Sequence, residues 1–297
     1  MDESSVLQKF ALLIENDLVF YDDEQQIIEH MDTSLKFQFI LTSALLKKPT
    51  FQTNAPKPES HVNVFARNLD GSDIDTADYE ICRIGETHFL AANKFCYARP
   101  HLMLLTLDGY KRQYESLDQN DWQALHSILR GQTNEYVGFY NCGQDGGCSR
   151  LHKHMQLIPK PKDSFAAFLD EEDAEEPNMP FQWFYHRFGS ANVTPEDLLD
   201  IYNELLQKAT EVGAGLSENA KTLPRGAAIP HNMLVTKNWM AVLPRRRAAV
   251  NKEAGANALG MIGVIAVATQ KEIDNWIEIG PAKALAELGV PETSPAT

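Results

Sequence analysis

His152, His154 and Gln156 occupy every second position in Gly146-Gly147-Cys148-Ser149-Arg150-Leu151-His152-Lys153-His154-Met155-Gln156. Side chains alternate between the faces of a strand, so these three would share one face. Lys153, Met155 and Leu157 would share the other. The glycine run just before them can turn its backbone N–H groups toward an anion. A neutral imidazole is a good nucleophile toward phosphorus. A histidine on a rigid strand beside an anion cradle therefore suggests phosphoryl or nucleotidyl transfer. A bare H-x-H also fits a half-exposed strand with two ordinary histidines. The glycine loop and a glutamine in register favour the chemical alternative.

Such a site needs strands and helices to hold it. His88–Phe95, His101–Leu107, Glu135–Cys142 and His152–Ile158 read as strands, and Asp121–Arg130 reads as a helix capped by Asp118 or Asn120. Upstream, Ser5–Asp17 and Asp23–Asp32 read as helices and Phe37–Leu41 as a strand. Thr50–Asp78, poor in apolar periodicity, reads as a long loop over the site. Downstream, Gln182–Arg187 reads as a short aromatic strand, and Thr194-Pro195 opens a helix with Asp197 three residues after the cap. Met233–Thr236 and Trp239–Leu243 flank Lys237-Asn238 as a hairpin. Helices are expected over Gln270–Glu278 and Pro281–Leu288. The pattern predicts an α+β fold on an antiparallel sheet with flanking helices. It divides into a catalytic part (residues 1–162), an acidic linker (163–180) and a C-terminal part (181–297).

The 297 residues are 43% hydrophobic, enough for a sizeable core. No apolar run reaches the length of a membrane span, and the acidic start Met1-Asp2-Glu3 does not resemble a signal peptide. Cys82, Cys96, Cys142 and Cys148 lack C-x-x-C spacing and read as reduced thiols, which suits the cytoplasm. A net charge of −14 argues against nucleic acid and anionic membranes as partners. It leaves room for a nucleotide, because local charge governs a pocket. The run Asp170-Glu171-Glu172-Asp173-Ala174-Glu175-Glu176 reads as a solvated loop.

The central motif resembles the histidine-triad superfamily, in the branch with H-x-H-x-Q. That branch holds the hexose-1-phosphate uridylyltransferases and the diadenosine tetraphosphate phosphorylases, also called ATP adenylyltransferases. Asn93-Lys94-Phe95 followed by His101-Leu102-Met103-Leu104-Leu105-Thr106 is similar to the phosphorylase pattern. So are Tyr140-Asn141-Cys142-Gly143, Asn232–Arg245, Asn257-Ala258-Leu259-Gly260 and Gly280-Pro281. The resemblance runs from about Phe37 to Pro291.

It implies phosphorolysis of diadenosine tetraphosphate to ADP and ATP, with His154 as the adenylated nucleophile. His152 then orients or assists, or else supports the loop. Gln156 donates to a non-bridging phosphate oxygen. Lys48, Asn93, Lys94, Asn141, Gly147, Cys148, Ser149, Arg150 and Asn257 contact substrate. The implied ligands are a dinucleoside polyphosphate, ATP or ADP and inorganic phosphate, with Mg or Mn carried on the polyphosphate and no dedicated protein metal site. Sulfate is a second implied acceptor, with an adenylyl sulfate as donor in the reverse sense. Arg150 and Leu151 depart from the family's glutamine and proline, and His231 stands where tyrosine is frequent. Val264 and Ala268 align with a methionine and a lysine. A uridylyltransferase and a non-catalytic nucleotide sensor are the rival expectations.

Overall fold

The computed structural model describes residues 2–48, 69–131, 133, 135–189 and 192–292. The chain opens with α1 (Glu3–Glu15), whose first turn is capped by the Asp2 carboxylate accepting from the Ser4 and Ser5 N–H groups. β1 (Phe20–Tyr21), β2 (Gln26–Asp32) and β3 (Leu35–Leu41) follow. β2 and β3 form a hairpin, with Asp32 opposite Leu35. Asp23–Asp32 is therefore not the helix its Ile27, Ile28 and Met31 spacing suggested. Ile27 and Met31 point to solvent, and Phe37 and Phe39 of β3 enter the core. Pairing across a tight turn outweighs a short stretch of helical periodicity.

β4 (Glu80–Ile84), β5 (His88–Ala92), β6 (Phe95–Cys96) and β7 (Leu102–Thr106) lead to α2 (Gln119–Gly131), β8 (Tyr136–Cys142) and β9 (His154–Pro159). Then come β10 (Phe184–Arg187), α3 (Pro195–Gly213), β11 (His231–Val235) and β12 (Trp239–Pro244). The last elements are α4 (Ala258–Met261), β13 (Val264–Val267), α5 (Gln270–Ile279) and α6 (Pro281–Leu288). Among the described residues, eight strands form one antiparallel sheet in the order β10-β12-β11-β8-β9-β7-β5-β4. Strands from both sides of the acidic connection thus share one sheet, joined where β8 pairs with β11. A second sheet sets β13 parallel to β3, with β2 outside.

The central strands are buried on both faces. Phe139, Leu234, Trp239 and Leu243 pack with Phe37, Phe39 and Trp276 on one side. Tyr140, Met155, Leu157, Met233 and Val242 pack with Trp122 and Tyr202 on the other. α3 carries the expected Thr194–Asp197 capping box and lies against α2, with the Trp122 and Tyr202 rings 5.4 Å apart. Of the 50–78 segment, residues 50–68 lie outside the described residues. The acidic run is exposed in its middle but tied at its ends. Asp170 pairs with Lys160 at 3.1 Å, and Glu176 accepts from Trp183 Nε1 and Tyr185 OH at 2.7 Å each.

Lys153, on the far face at the entry to β9, reaches under the sheet to α2. Its ammonium lies 2.6 Å from Asp121 Oδ2 and donates to the Ser116 carbonyl at 2.7 Å. His88 Nε2 lies 3.0 Å from Asp121 Oδ1. All three side chains are buried. Burial works to raise the Asp121 pKa, but the His88 and Lys153 hydrogen bonds and charge hold it below the ordinary carboxylate value. Its stabilising effect is present above the unfolded carboxylate's pKa and is lost as pH falls through the lower folded value. Asp121→Asn is expected to destabilise the fold by about 3–5 kcal/mol at neutral pH, because it strands a buried ammonium. Thermal denaturation should show the gap to wild type narrowing as pH drops below about 4. A constant gap across that range would contradict the assignment.

Candidate active site

Each catalytic candidate is fixed by backbone geometry before any side chain is considered. β9 begins at His154, so His154 and Gln156 project from the same face. The glycine loop connects β8 to β9. Gly143 and Gly147 adopt φ of 73° and 85°. A Cβ on Gly146 would meet the Cys142 carbonyl oxygen at 2.2 Å, so only glycine fits this packed turn.

His154 is buried, and its Nδ1 lies 2.8 Å from the His152 carbonyl oxygen. A carbonyl only accepts, so Nδ1 carries the proton and Nε2 keeps its lone pair. Burial pushes the His154 pKa down to about 4. The imidazole is therefore neutral at physiological pH, as an attacking nitrogen must be. His152 does not share this arrangement. Its buried ring lies with Nε2 3.0 Å from the Thr106 carbonyl and Nδ1 2.8 Å from Ser72 Oγ. The regular strand starts two residues later, so the alternation that put its ring beside His154 does not extend to it. Its backbone carbonyl, not its ring, meets the His154 imidazole.

Gln156 is oriented through a chain of hydrogen bonds. The Phe95 N–H donates to Asn93 Oδ1 at 3.1 Å, which turns the Asn93 amide nitrogen toward Gln156 Oε1, 3.2 Å away. His101 Nε2 lies 2.9 Å from the same oxygen, and burial pushes the His101 pKa down to about 4. A neutral His101 protonated at Nε2 donates to that oxygen. Both donors hold the Gln156 oxygen, which leaves its NH2 for the cavity. Asn141 Oδ1 accepts from Asn232 Nδ2 at 3.0 Å and from the Ala258 N–H at 2.8 Å. Its amide nitrogen is likewise directed away from the protein framework.

These groups line one cavity of about 360 Å³. Its walls include His154, Gln156, Lys48, Asn93, Lys94, Asn141, Gly147, Cys148, Ser149, Arg150 and Asn257, with His101, Tyr79, Tyr97 and Asp75 among the others. Of the catalytic and substrate-contacting residues expected from the sequence, His152 alone is not in the lining. Burial lowers the pKa of Arg150, and Asp73 opposes that shift. Lys48 keeps side-chain surface toward solvent, yet desolvation and the neighbouring Arg150 lower its pKa. Burial pushes the Cys148 thiol up to about 12, which makes it a wall and not a nucleophile. Asn257 caps α4 by accepting from the Gly260 N–H at 3.0 Å. Ala268 is outside the lining and donates its N–H to Glu272 at 3.1 Å. Among the described residues, no group of His, Cys, Asp or Glu side chains is arranged to hold a metal ion.

Sequence inspection assigned no role to three supporting residues. Gln113 lies in a loop with no motif of its own, and His101 was seen only as part of a pattern. Arg245 is fully buried and donates to Asn232 Oδ1 at 2.5 Å and to three backbone carbonyls. His231 accepts from the Tyr202 hydroxyl at 2.9 Å while its Nδ1 faces the Ile229 carbonyl at 2.7 Å. It serves as a buried spacer between strand and helix.

A neutral imidazole facing a cavity with Lys48, Lys94 and Arg150 on its walls belongs to an enzyme that transfers phosphorus groups. Comparison with known proteins makes the assignment narrower. An Ap4A phosphorylase N-terminal domain matches residues 14–169, and an ATP adenylyltransferase C-terminal domain matches residues 177–291. The chain belongs to the Ap4A phosphorylase family, a family of nucleotidyltransferase-type enzymes. Diadenosine 5',5'''-P1,P4-tetraphosphate phosphorylase 2 of Saccharomyces cerevisiae is 27% identical over 233 residues, covering 69% of this chain and 70% of the yeast one. Protein APA1 of the same yeast is 26% identical, covering 98% and 95%. The crystal structure of yeast Ap4A phosphorylase Apa2 superposes with a TM-score of 0.76 at 20% identity, over 100% of this chain and 97% of that one. Its complex with Ap4A gives 0.73 at 22% identity, over 99% of each. The α+β architecture is thus a shared fold. No helix among the described residues is long and apolar enough to cross a membrane.

The His154 imidazole is expected to stay neutral and Nδ1-protonated down to about pH 4. Histidine 15N NMR across pH 3.5–8 measures this directly. Protonation of His154 near the ordinary imidazole value of about 6.5 would contradict it.

Proposed function

We propose that this protein phosphorolyses diadenosine tetraphosphate to ADP and ATP through an adenylated His154. Nε2 attacks the α-phosphorus, the bond to the bridging oxygen breaks, and ATP leaves. An oxygen of inorganic phosphate then attacks the same phosphorus, the P–N bond breaks, and ADP forms. The observation that carries this reading is the contact of His154 Nδ1 with the His152 carbonyl, which fixes the tautomer. With the Nδ1 proton held there, Nε2 meets the substrate as a lone pair without a proton to shed.

Lys48, Lys94 and Arg150 offset the polyphosphate charge. Backbone of the Gly147–Ser149 loop, with Asn141 and Asn257, cradles the α-phosphate. Gln156 donates to the oxygen on which charge grows, a role for which its pinned Oε1 prepares it. Glutamine neither gives nor takes a proton near neutrality, so an anionic acceptor is favoured over water. His152 supports the nucleophile through its carbonyl. Mg or Mn enters on the polyphosphate, whose charge attracts it. All four cysteines are free thiols, which supports a cytoplasmic setting.

Incubation with diadenosine tetraphosphate, with and without phosphate, tests the reading. An acid-labile, alkali-stable AMP adduct should accumulate on the His154 peptide when phosphate is absent and vanish in His154→Ala. Recovery on another residue, or full turnover in that variant, would refute it. Sulfate in place of phosphate should yield adenylyl sulfate if the acceptor site is permissive. A uridylyltransferase would instead carry UMP from a UDP-sugar, and a sensor would bind nucleotide without forming an adduct.

Gln156→His is expected to slow phosphorolysis by roughly 10²-fold or more, the usual loss for an oxyanion donor. It should also raise AMP, the product of hydrolysis, relative to ADP. An unchanged rate with an unchanged product ratio rejects this role for the amide.

A further inference from the structure

β8 and β9 pair regularly from Tyr136 opposite Pro159 to Phe139 opposite Gln156, and the ladder then stops. Continued at the same register, it would bring Asn141 opposite His154. The Gln113 side chain occupies that place. Its Nε2 donates to the Asn141 carbonyl at 3.1 Å and to the His154 carbonyl at 2.9 Å. Its Oε1 accepts from the His154 N–H at 2.7 Å. A primary amide has the donors and the acceptor that a strand offers, so it satisfies both backbones without letting them touch. The two strands are separated by the width of an amide group, with Asn141 on one side of the gap and His154 on the other.

The Gln113 backbone holds the loop that spans this gap. Its N–H donates to the Leu151 carbonyl at 2.8 Å, and its carbonyl accepts from the Gly143 N–H at 2.9 Å. The same carbonyl accepts from the Tyr140 hydroxyl at 3.0 Å. One residue, 1% exposed, thus grips both ends of the glycine loop and both strands below it.

We infer that Gln113 is a positioning residue: its amide wedge sets the distance between the His154 nucleophile and the phosphate-binding wall formed by Asn141 and the glycine loop. This rests on the assignment of His154 as nucleophile. Without the amide, His154 N–H and the two carbonyls must either zip together, closing the gap, or stay unpaired in a buried setting. Both outcomes move Nε2 relative to the bound α-phosphorus while leaving the Lys48, Lys94 and Arg150 contacts with the distal phosphates in place.

Gln113→Met and Gln113→Glu test this. Well below the melting temperature of each variant, Gln113→Met is expected to lower kcat by about 10²-fold while KM changes by less than about threefold. A purely structural role would lower the melting temperature without that split. In Gln113→Glu, an ionised carboxylate repels the two carbonyls, whereas the protonated form regains one donor. Its kcat relative to wild type at the same pH should therefore rise as pH falls. Histidine 15N NMR supplies a readout independent of turnover: the His154 signals should shift in both variants. Wild-type adduct formation away from His154 would overturn the assignment of the nucleophile and leave the wedge to the NMR arm. Adduct formation at His154 with kcat retained in both variants would overturn the wedge. So would unchanged His154 resonances.

Discussion

Where two strands part beside a buried cavity, the backbone groups so exposed must still be hydrogen-bonded. That constraint governs the centre of this molecule. β8 and β9 run paired through the core and part at the cavity floor. Parting frees backbone groups in a region with little access to water, where each unmet donor or acceptor costs about 1–3 kcal/mol. The Gln113 amide meets them on both sides of the gap. The Asn141 side chain is in turn held by Asn232 of β11 and the first N–H of α4.

The second of these supports extends inward. Arg245 donates to Asn232, Asn232 donates to Asn141 and to the Gly146 carbonyl, and Asn141 turns its amide nitrogen to the cavity. Burial lowers the Arg245 pKa, but four oxygen acceptors around its guanidinium keep the charge. The result is a polar chain running from the C-terminal strands to the cavity wall. On the opposite face of β9, Lys153 and Asp121 do the corresponding work, tying the strand's entry to α2. Polar networks of this kind are costly when partly satisfied and specifying when complete. Here they surround the place where the β8–β9 ladder ends.

Electrostatics in the cavity run against the composition of the whole. The chain carries a net charge of −14, yet its cavity collects Lys48, Lys94 and Arg150. The same enclosure that strengthens their attraction for an anion also disfavours protonation of His154 and His101. A single physical cause, removal of water, thus acts on both the cations and the neutral imidazoles.

Much of this was legible in the amino-acid order. Period-two alternation from His154 onward, the glycine run before it, and the Thr194 capping box are local features. Local chain geometry enforces them, so β9, the loop and α3 appear where the pattern puts them. Residues such as Asn93, Asn141 and Asn257 could be nominated because their motifs recur in order. Asp23–Asp32 was misjudged because its apolar spacing suits a helix, whereas its pairing partner β3 lies beyond a turn. The alternation also failed at His152, whose ring turns to Thr106 and Ser72 instead. The joining of β8 to β11 and of β3 to β13 left no local trace. Nor did the uses of Gln113, His101 and Arg245, whose partners lie from 2 to 55 residues away in the chain. The residues that do chemistry are set by type and short spacing, which the sequence alone determines. The gap between two strands, and the buried side chains that hold it open, depend on which distant backbone groups are left unpaired, and only the folded chain decides that.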